Sequence, residues 1–166
     1  MRIVGDYLAE GALGQGNNSS IDLFARSAFN RYYYAVYLIV NESISLINPT
    51  WSKMNHADLP EVLKGKVIKT IKDDIKRKIK NDVIPYHIGE NIKQKVIHSA
   101  NELSNLLDEA YRIRVIADYQ PDIKVEIRSG TFLLDGEKIS VAKMWKNTAE
   151  THTNSLIKAY KDVGLI

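Results

Sequence analysis

Residues Ala25–Tyr37 read ARSAFNRYYYAVY, and the rest of the chain is organised around how this stretch folds. Placed on a helix at 100° per residue, it divides into two sides. Phe24, Ala25, Ala28, Phe29, Tyr32, Val36, Ile39 and Val40 make a wide apolar side. Opposite them Arg26, Asn30, Tyr34, Tyr37 and Asn41 follow one another at steps of three or four, with Arg31 on the flank beside Ser27 and Leu38. A helix this apolar around its girth is expected to be central, with neighbours on several sides. Its polar row must then meet a partner, a site or trapped water, because unpaired buried polar groups are costly. Two readings of that row stand side by side. In one, Tyr33, Tyr34 and Tyr37 are core aromatics whose hydroxyls reach a neighbouring helix, and the arginines pair with carboxylates such as Asp118. In the other, Arg26, Arg31 and the tyrosines position a phosphate or polarise a leaving group.

Working outward, the helix is predicted over Ile21–Ile47, with Ser20 or Asp22 as its cap and Asn48-Pro49 as its end. Before it, Ile3–Leu13 is a short helix, broken by GQGNNSS at Gly14–Ser20. After it, Thr50–Asp58 is a loop holding Trp51 and His56. A third helix is predicted over Leu59–Asp82, with Ile68, Ile71, Ile75 and Ile79 on one stripe. A break around Pro85, Val83–Gly89, precedes a fourth helix, Glu90–Tyr119, burying Ile92, Val96, Leu103, Leu106, Leu107 and Ala110. From Ile123 the period changes from helical to alternating, and Asp135-Gly136 stands between β-prone flanks. This predicts a small hairpin, with room for a third strand, over Ile123–Val141, and then a last helix over Ala142–Val163 closed by Gly164. The fold class is all-α: a bundle of four to five helices carrying a β-hairpin arm, in one domain over residues 1–166.

Composition excludes several chemistries. The 166 residues contain no cysteine, which removes disulfides, thiol catalysis and Cys-ligated metals. A hydrophobic share of 45% and a charged share of 26% are those of an ordinary globular chain, and the net charge of +3 permits an acidic partner without demanding one. No apolar run approaches the roughly 20 residues that span a bilayer. The opening MRIVGDYLAEG lacks the pattern of a signal peptide, so a cytoplasmic protein with no membrane association is expected. The glycines at 11, 14 and 16 lack the dinucleotide-loop spacing, and neither a zinc-type His-Glu-x-x-His nor a nucleophile elbow is present. His56, His87, His98 and His152 are far apart in sequence. No metal and no cofactor are expected.

The residues Asn30-Arg31-Tyr32-Tyr33-Tyr34-Ala35, then His56, then Arg114-Val-Ile-Ala117-Asp118-Tyr119, resemble the SRAYYA-type branch of the HEPN domain family. That branch carries an S-R-x-Y-Y-A helix, a His-containing loop and an R-x-x-A-D-Y helix end in this order. The resemblance covers roughly residues 21–119. It implies a helical bundle that forms a homodimer through the central helices. It also implies a role in RNA biology: antiviral defence, a toxin–antitoxin module, or association with a nucleotidyltransferase. Many family members are metal-independent ribonucleases with an Arg-x4–6-His motif, in which the His transfers a proton and the Arg stabilises the phosphate. Here Leu38 stands seven residues after Arg31, where such a His is expected. Leucine cannot transfer a proton, so activity would require a substitute such as Tyr37 or His56. Tyrosine, with an unperturbed pKa near 10, is a poor base at neutral pH. The resemblance also suggests that Arg114 or Asp118 meets the row of Arg26 and Arg31, with Tyr119 in the same interface group. A plainer reading is a local ion pair between Arg114 and Asp118, four residues apart on one helix.

On the third helix Lys66, Lys69, Lys72, Lys76, Arg77 and Lys80 share a sector, interrupted mainly by Asp73. Such a stripe can track a phosphate backbone, or it can be only a solvated face; it has no interleaved aromatics for stacking. Three functions follow. The first is a non-catalytic or atypical HEPN-like component that binds RNA or a nucleotide-handling protein. The second is a ribonuclease built on Arg31, Tyr37 and His56. The third is an assembly subunit whose hairpin arm docks a larger enzyme or ATPase.

Overall fold

A computed structural model describes residues 1–52 and 54–166; the expected loop Thr50–Asp58 therefore includes one residue, Lys53, outside the described set. The protein is all-α, with a small three-stranded antiparallel sheet inserted before the last helix. Its helices are α1 (Arg2–Leu13), α2 (Asn18–Ile47), α3 (Leu59–Val62), α4 (Ile68–Lys80), α5 (Tyr86–Tyr119) and α6 (Ile139–Asp162). The strands are β1 (Glu126–Arg128), β2 (Thr131–Leu134) and β3 (Glu137–Lys138). The chain forms two compact units, Met1–Leu38 with Asp108–Thr148, and Ile39–Leu107 with Ala149–Ile166.

In the first unit the apolar side of α2 is core: Ala25, Ala28, Phe29 and Val36 are fully buried. The helix begins three residues before the expected Ile21, because the cap is neither Ser20 nor Asp22. The Asn17 side chain accepts the Ser20 backbone N–H at 2.8 Å. Tyr32 is buried and donates its hydroxyl to Asp6 of α1 at 2.7 Å. The sheet joins this core through β2, whose Phe132, Leu133 and Leu134 are all buried. Phe132 meets Phe29 edge to face, with ring centroids 6.0 Å apart. Both hairpin connections have two residues at positive φ, Ser129-Gly130 and Asp135-Gly136. These are the mirror-image turns whose twist suits paired strands, as the Asp-Gly signal predicts. The insert is therefore seated by its middle strand, while β1 is exposed throughout.

In the second unit the expected third helix is two helices, α3 and α4, joined by a π turn at Leu63–Val67. Leu59, Leu63, Val67, Ile71 and Ile75 are all buried and recur every fourth residue. On a helix of 3.6 residues per turn, that spacing drifts by about 40° at each step. The wider turn takes up the drift and keeps the stripe facing inward. Carbonyls in and before this turn find side-chain donors: Tyr160 donates to the Val67 oxygen at 2.8 Å, and Ser104 to the Pro60 oxygen of α3 at 3.2 Å.

α4 ends at Lys80, with Asp82 in the left-handed region at φ 54°. The Asp82 N–H bonds the Ile79 oxygen at 3.1 Å and the Val83 N–H bonds the Lys78 oxygen at 2.9 Å, the paired closure usually built on glycine. Gly164 closes α6 by the same pair of bonds, to Lys161 and Tyr160. α5 starts at Tyr86, directly after Pro85, so Gly89 lies inside its first turns and not in the expected break. A Cβ at Gly89 would stand 2.7 Å from Ile79 Cδ1 and 2.9 Å from Ile75 Cγ2. The missing side chain is what lets α5 approach α4. Leu106, expected in the core, is half-buried.

Candidate functional site

The polar row of α2 meets the end of α5 within the first unit. Arg26 is only 8% exposed. Its Nε donates to Asp22 at 2.8 Å, and its Nη1 donates to the carbonyls of Ile116 and Ala117 at 2.9 and 3.3 Å. Nη2 donates to the carbonyls of Gln120, at 3.3 Å, and Ile123. The guanidinium has five N–H groups, and all are engaged. They reach carbonyls in the last turn of α5, Ile116 and Ala117, and in the chain just past it, Gln120 and Ile123, and the positive charge complements the negative end of that helix. Asp22 also accepts the Val125 N–H at 2.9 Å, fixing the chain that leads into β1. Arg26 is a helix cap. It has no donor left for a phosphate.

One turn further on, the Asn30 side chain donates to Asp118 Oδ1 at 2.6 Å, and Asp118 is ion-paired with Arg114 at 2.8 Å. The Arg114 guanidinium lies over the Tyr119 ring, 5.1 Å from its centroid. Arg26, Asn30, Arg114, Asp118 and Tyr119 are thus brought together, and the local Arg114–Asp118 pair is present inside that larger cluster. Arg31 differs from its neighbours. It is half-buried and makes no hydrogen bond or ion pair among the described residues.

The tyrosines form an aromatic group. Tyr33 is buried and its ring centroid lies 5.5 Å from Tyr34, 6.3 Å from Tyr37 and 5.8 Å from Tyr111 on α5. Burial raises the Tyr37 hydroxyl above its ordinary pKa, and the neighbouring Tyr34 adds to the shift. Tyr37 therefore stays a neutral phenol at physiological pH, unsuited to take a proton. Leu38, in the place of the expected histidine, is 46% exposed. Tyr37 belongs to the first unit, whereas His56 and Asn41 belong to the second; there Asn41 Oδ1 accepts the Met54 N–H at 3.3 Å.

The cationic sector of the third predicted helix lies in the second unit. Lys66, Lys69, Lys72, Lys76, Arg77 and Lys80 are all exposed. Among the described residues the five lysines have no ion-pair partner, while Arg77 pairs with the buried Asp74. Lys78, on the other side of α4, behaves differently: it reaches Asp74 at 3.6 Å and donates to the Val163 carbonyl at the end of α6. Beside the cations a surface groove of about 560 Å³ is bounded by Lys72 and Lys76 of α4 and by Tyr86 and Lys93 of α5. Tyr86 is 68% exposed. Sequence reasoning missed it because the aromatic lies on a different helix from the lysines. The signal was Pro85, read as a break when it marks the helix start.

Among the described residues no three His, Asp or Glu side chains are placed to hold a metal ion, and no helix is long and apolar enough to cross a membrane. The chain matches no protein-family model, no curated protein and no solved structure.

Proposed function

We propose that the protein is a HEPN-like component of a prokaryotic defence or toxin–antitoxin-type module, acting as a homodimer in the cytoplasm and binding RNA on the cationic face of α4. The observation that carries the RNA reading is the row Lys66, Lys69, Lys72, Lys76 and Lys80, exposed and without carboxylate partners among the described residues. Lys78 is the internal control, because on the same helix it is tied to Asp74 and to a helix end. A polyanion placed along the row would release its condensed counterions, and binding would weaken steeply with salt. The HEPN part of the reading rests on the NRYYYA and RVIADY motifs and on Asn30 and Arg114 meeting at Asp118. Binding is favoured over cleavage because Leu38 cannot move a proton and Tyr37 is held neutral.

The test is fluorescence anisotropy of labelled RNA over a salt series, beside the double variant Lys72→Glu/Lys76→Glu. Binding that falls with salt, and a shallower salt slope in the variant, are the expected results. Salt-independent or absent binding would overturn the reading. A second reading, a metal-independent ribonuclease, is favoured by one observation: Arg31 is half-buried with its charge uncommitted. RNA cleavage in the presence of a chelator, lost in Arg31→Ala, would establish it. Neither binding nor cleavage would leave the protein as an assembly subunit for a larger partner, such as a nucleotidyltransferase or an ATPase.

A further inference from the structure

We infer that the groove between α4 and the first turns of α5 takes single-stranded nucleic acid, with one base stacked on Tyr86 and the flanking phosphates held by Lys72 and Lys76. The inference rests on the RNA-binding reading of the α4 face and names the kind of strand that face selects. Three features of the second unit carry it.

The first is charge. Lys72 and Lys76 lie one turn apart on α4, about 6 Å along the helix axis, and both line the groove. Successive phosphates of an extended strand can match that spacing. Two carboxylates also border the groove. Glu90 accepts from Lys93 at 2.6 Å and is thereby neutralised, while Asp73 stands exposed among the surrounding lysines.

The second is the ring. Tyr86 places most of its surface in water, yet its backbone belongs to the first turn of a 34-residue helix. It is therefore a large aromatic face on a rigid mount, with little conformational entropy to lose when something stacks on it. The third is the mount itself. Gly89, one turn along from Tyr86, lets α5 close onto Ile75 and Ile79. That close approach puts the ring on the wall opposite Lys72 and Lys76.

Stacking on an aromatic side chain needs an unpaired base, since a duplex keeps its base faces covered by their neighbours. Phosphate contacts from lysines make no such distinction. The groove thus supplies a sequence-tolerant preference for single strands that the lysine row alone lacks.

Anisotropy of a labelled oligo-uridine strand and of a duplex of equal length, against the full chain, tests this. The intact protein is expected to favour the strand. Tyr86→Ala should weaken strand binding about five-fold or more and leave duplex binding unchanged. Tyr86→Trp should restore strand binding, and Lys72→Glu/Lys76→Glu should weaken both ligands. Tyr86 is exposed, so an unchanged melting temperature checks that the fold is intact. Strand binding that depends on the lysines but not on Tyr86 would overturn the groove inference and leave the RNA reading standing. Absence of binding to either ligand would overturn the RNA reading itself.

Discussion

α2 and α4 each carry a row of polar side chains, and the two rows do opposite things. On α2, Arg26 gives every donor to Asp22 and to the carbonyls at the end of α5, and Asn30 joins Asp118. On α4 and the π turn before it, five lysines end in water with no partner among the described residues. The α2 row is the more conspicuous in sequence, because polar residues on an apolar helix invite a functional explanation. The explanation is mainly architectural: helix ends need donors, and a buried arginine supplies five. The α4 row is ordinary in sequence, yet it is the one left open to a ligand. A polar group is a candidate for binding when the fold has not already satisfied it.

Removing an engaged group should cost far more stability than removing a free one. Arg26→Ala removes the side-chain donors to the carbonyls of Ile116, Ala117, Gln120 and Ile123, of which Ile116 and Gln120 keep a backbone N–H, and leaves the Asp22 charge without its cation. A loss of about 3–5 kcal/mol is expected in urea unfolding. A loss below about 1 kcal/mol would show that water takes over those carbonyls and that the row is not the structural tie described. Gly89→Ala comes next. Its new methyl would press on Ile75 and Ile79, and an overpacking cost of about 1–3 kcal/mol is expected from the same measurement.

The interior of the second unit offers a pH-dependent test. His152 of α6 lies edge to face with His98 of α5, ring centroids 5.5 Å apart, near Ser99 and Glu102. Burial is the main cause that lowers its pKa below the ordinary value of 6.5, and His98 adds to the effect. The folded state thus binds this proton less readily than the unfolded state. Its contribution is complete above about pH 6.5 and is lost as pH falls through the lowered folded value. Urea midpoints should decline over that window, and His152→Gln should flatten the decline; an unchanged slope would assign it to other groups.

Two smaller effects complete the contrast. Asp82 closes α4 at φ 54°, a conformation better suited to glycine. Asp82→Gly should therefore stabilise the chain, by about 0.5–1 kcal/mol. The double variant Lys72→Glu/Lys76→Glu should change stability by no more than about 0.5 kcal/mol, since both side chains are exposed and unpaired. A large loss there would mean that the α4 row is tied into the fold after all, and the distinction between the two rows would collapse.

Much of this protein is local, and what is local is legible in its residues. Periodicity marks the apolar side of α2, Asn48-Pro49 marks its end, and Asp135-Gly136 marks a hairpin, because each depends on neighbours a few residues away. The hairpin's seating on Phe29, the π turn and the start of α5 at Tyr86 depend on what packs against them. The π turn exists because a stripe of every fourth residue must stay against one core. The partner of Arg26 is a helix end some ninety residues away, a contact that no spacing along α2 encodes. The groove joining Lys72 and Lys76 to Tyr86 arises the same way: a glycine on one helix lets it close on the isoleucines of another. Side-chain types and their periods are written in order along the chain, but which polar groups end up satisfied is settled by long-range packing, and that leaves the α4 row free and the α2 row engaged.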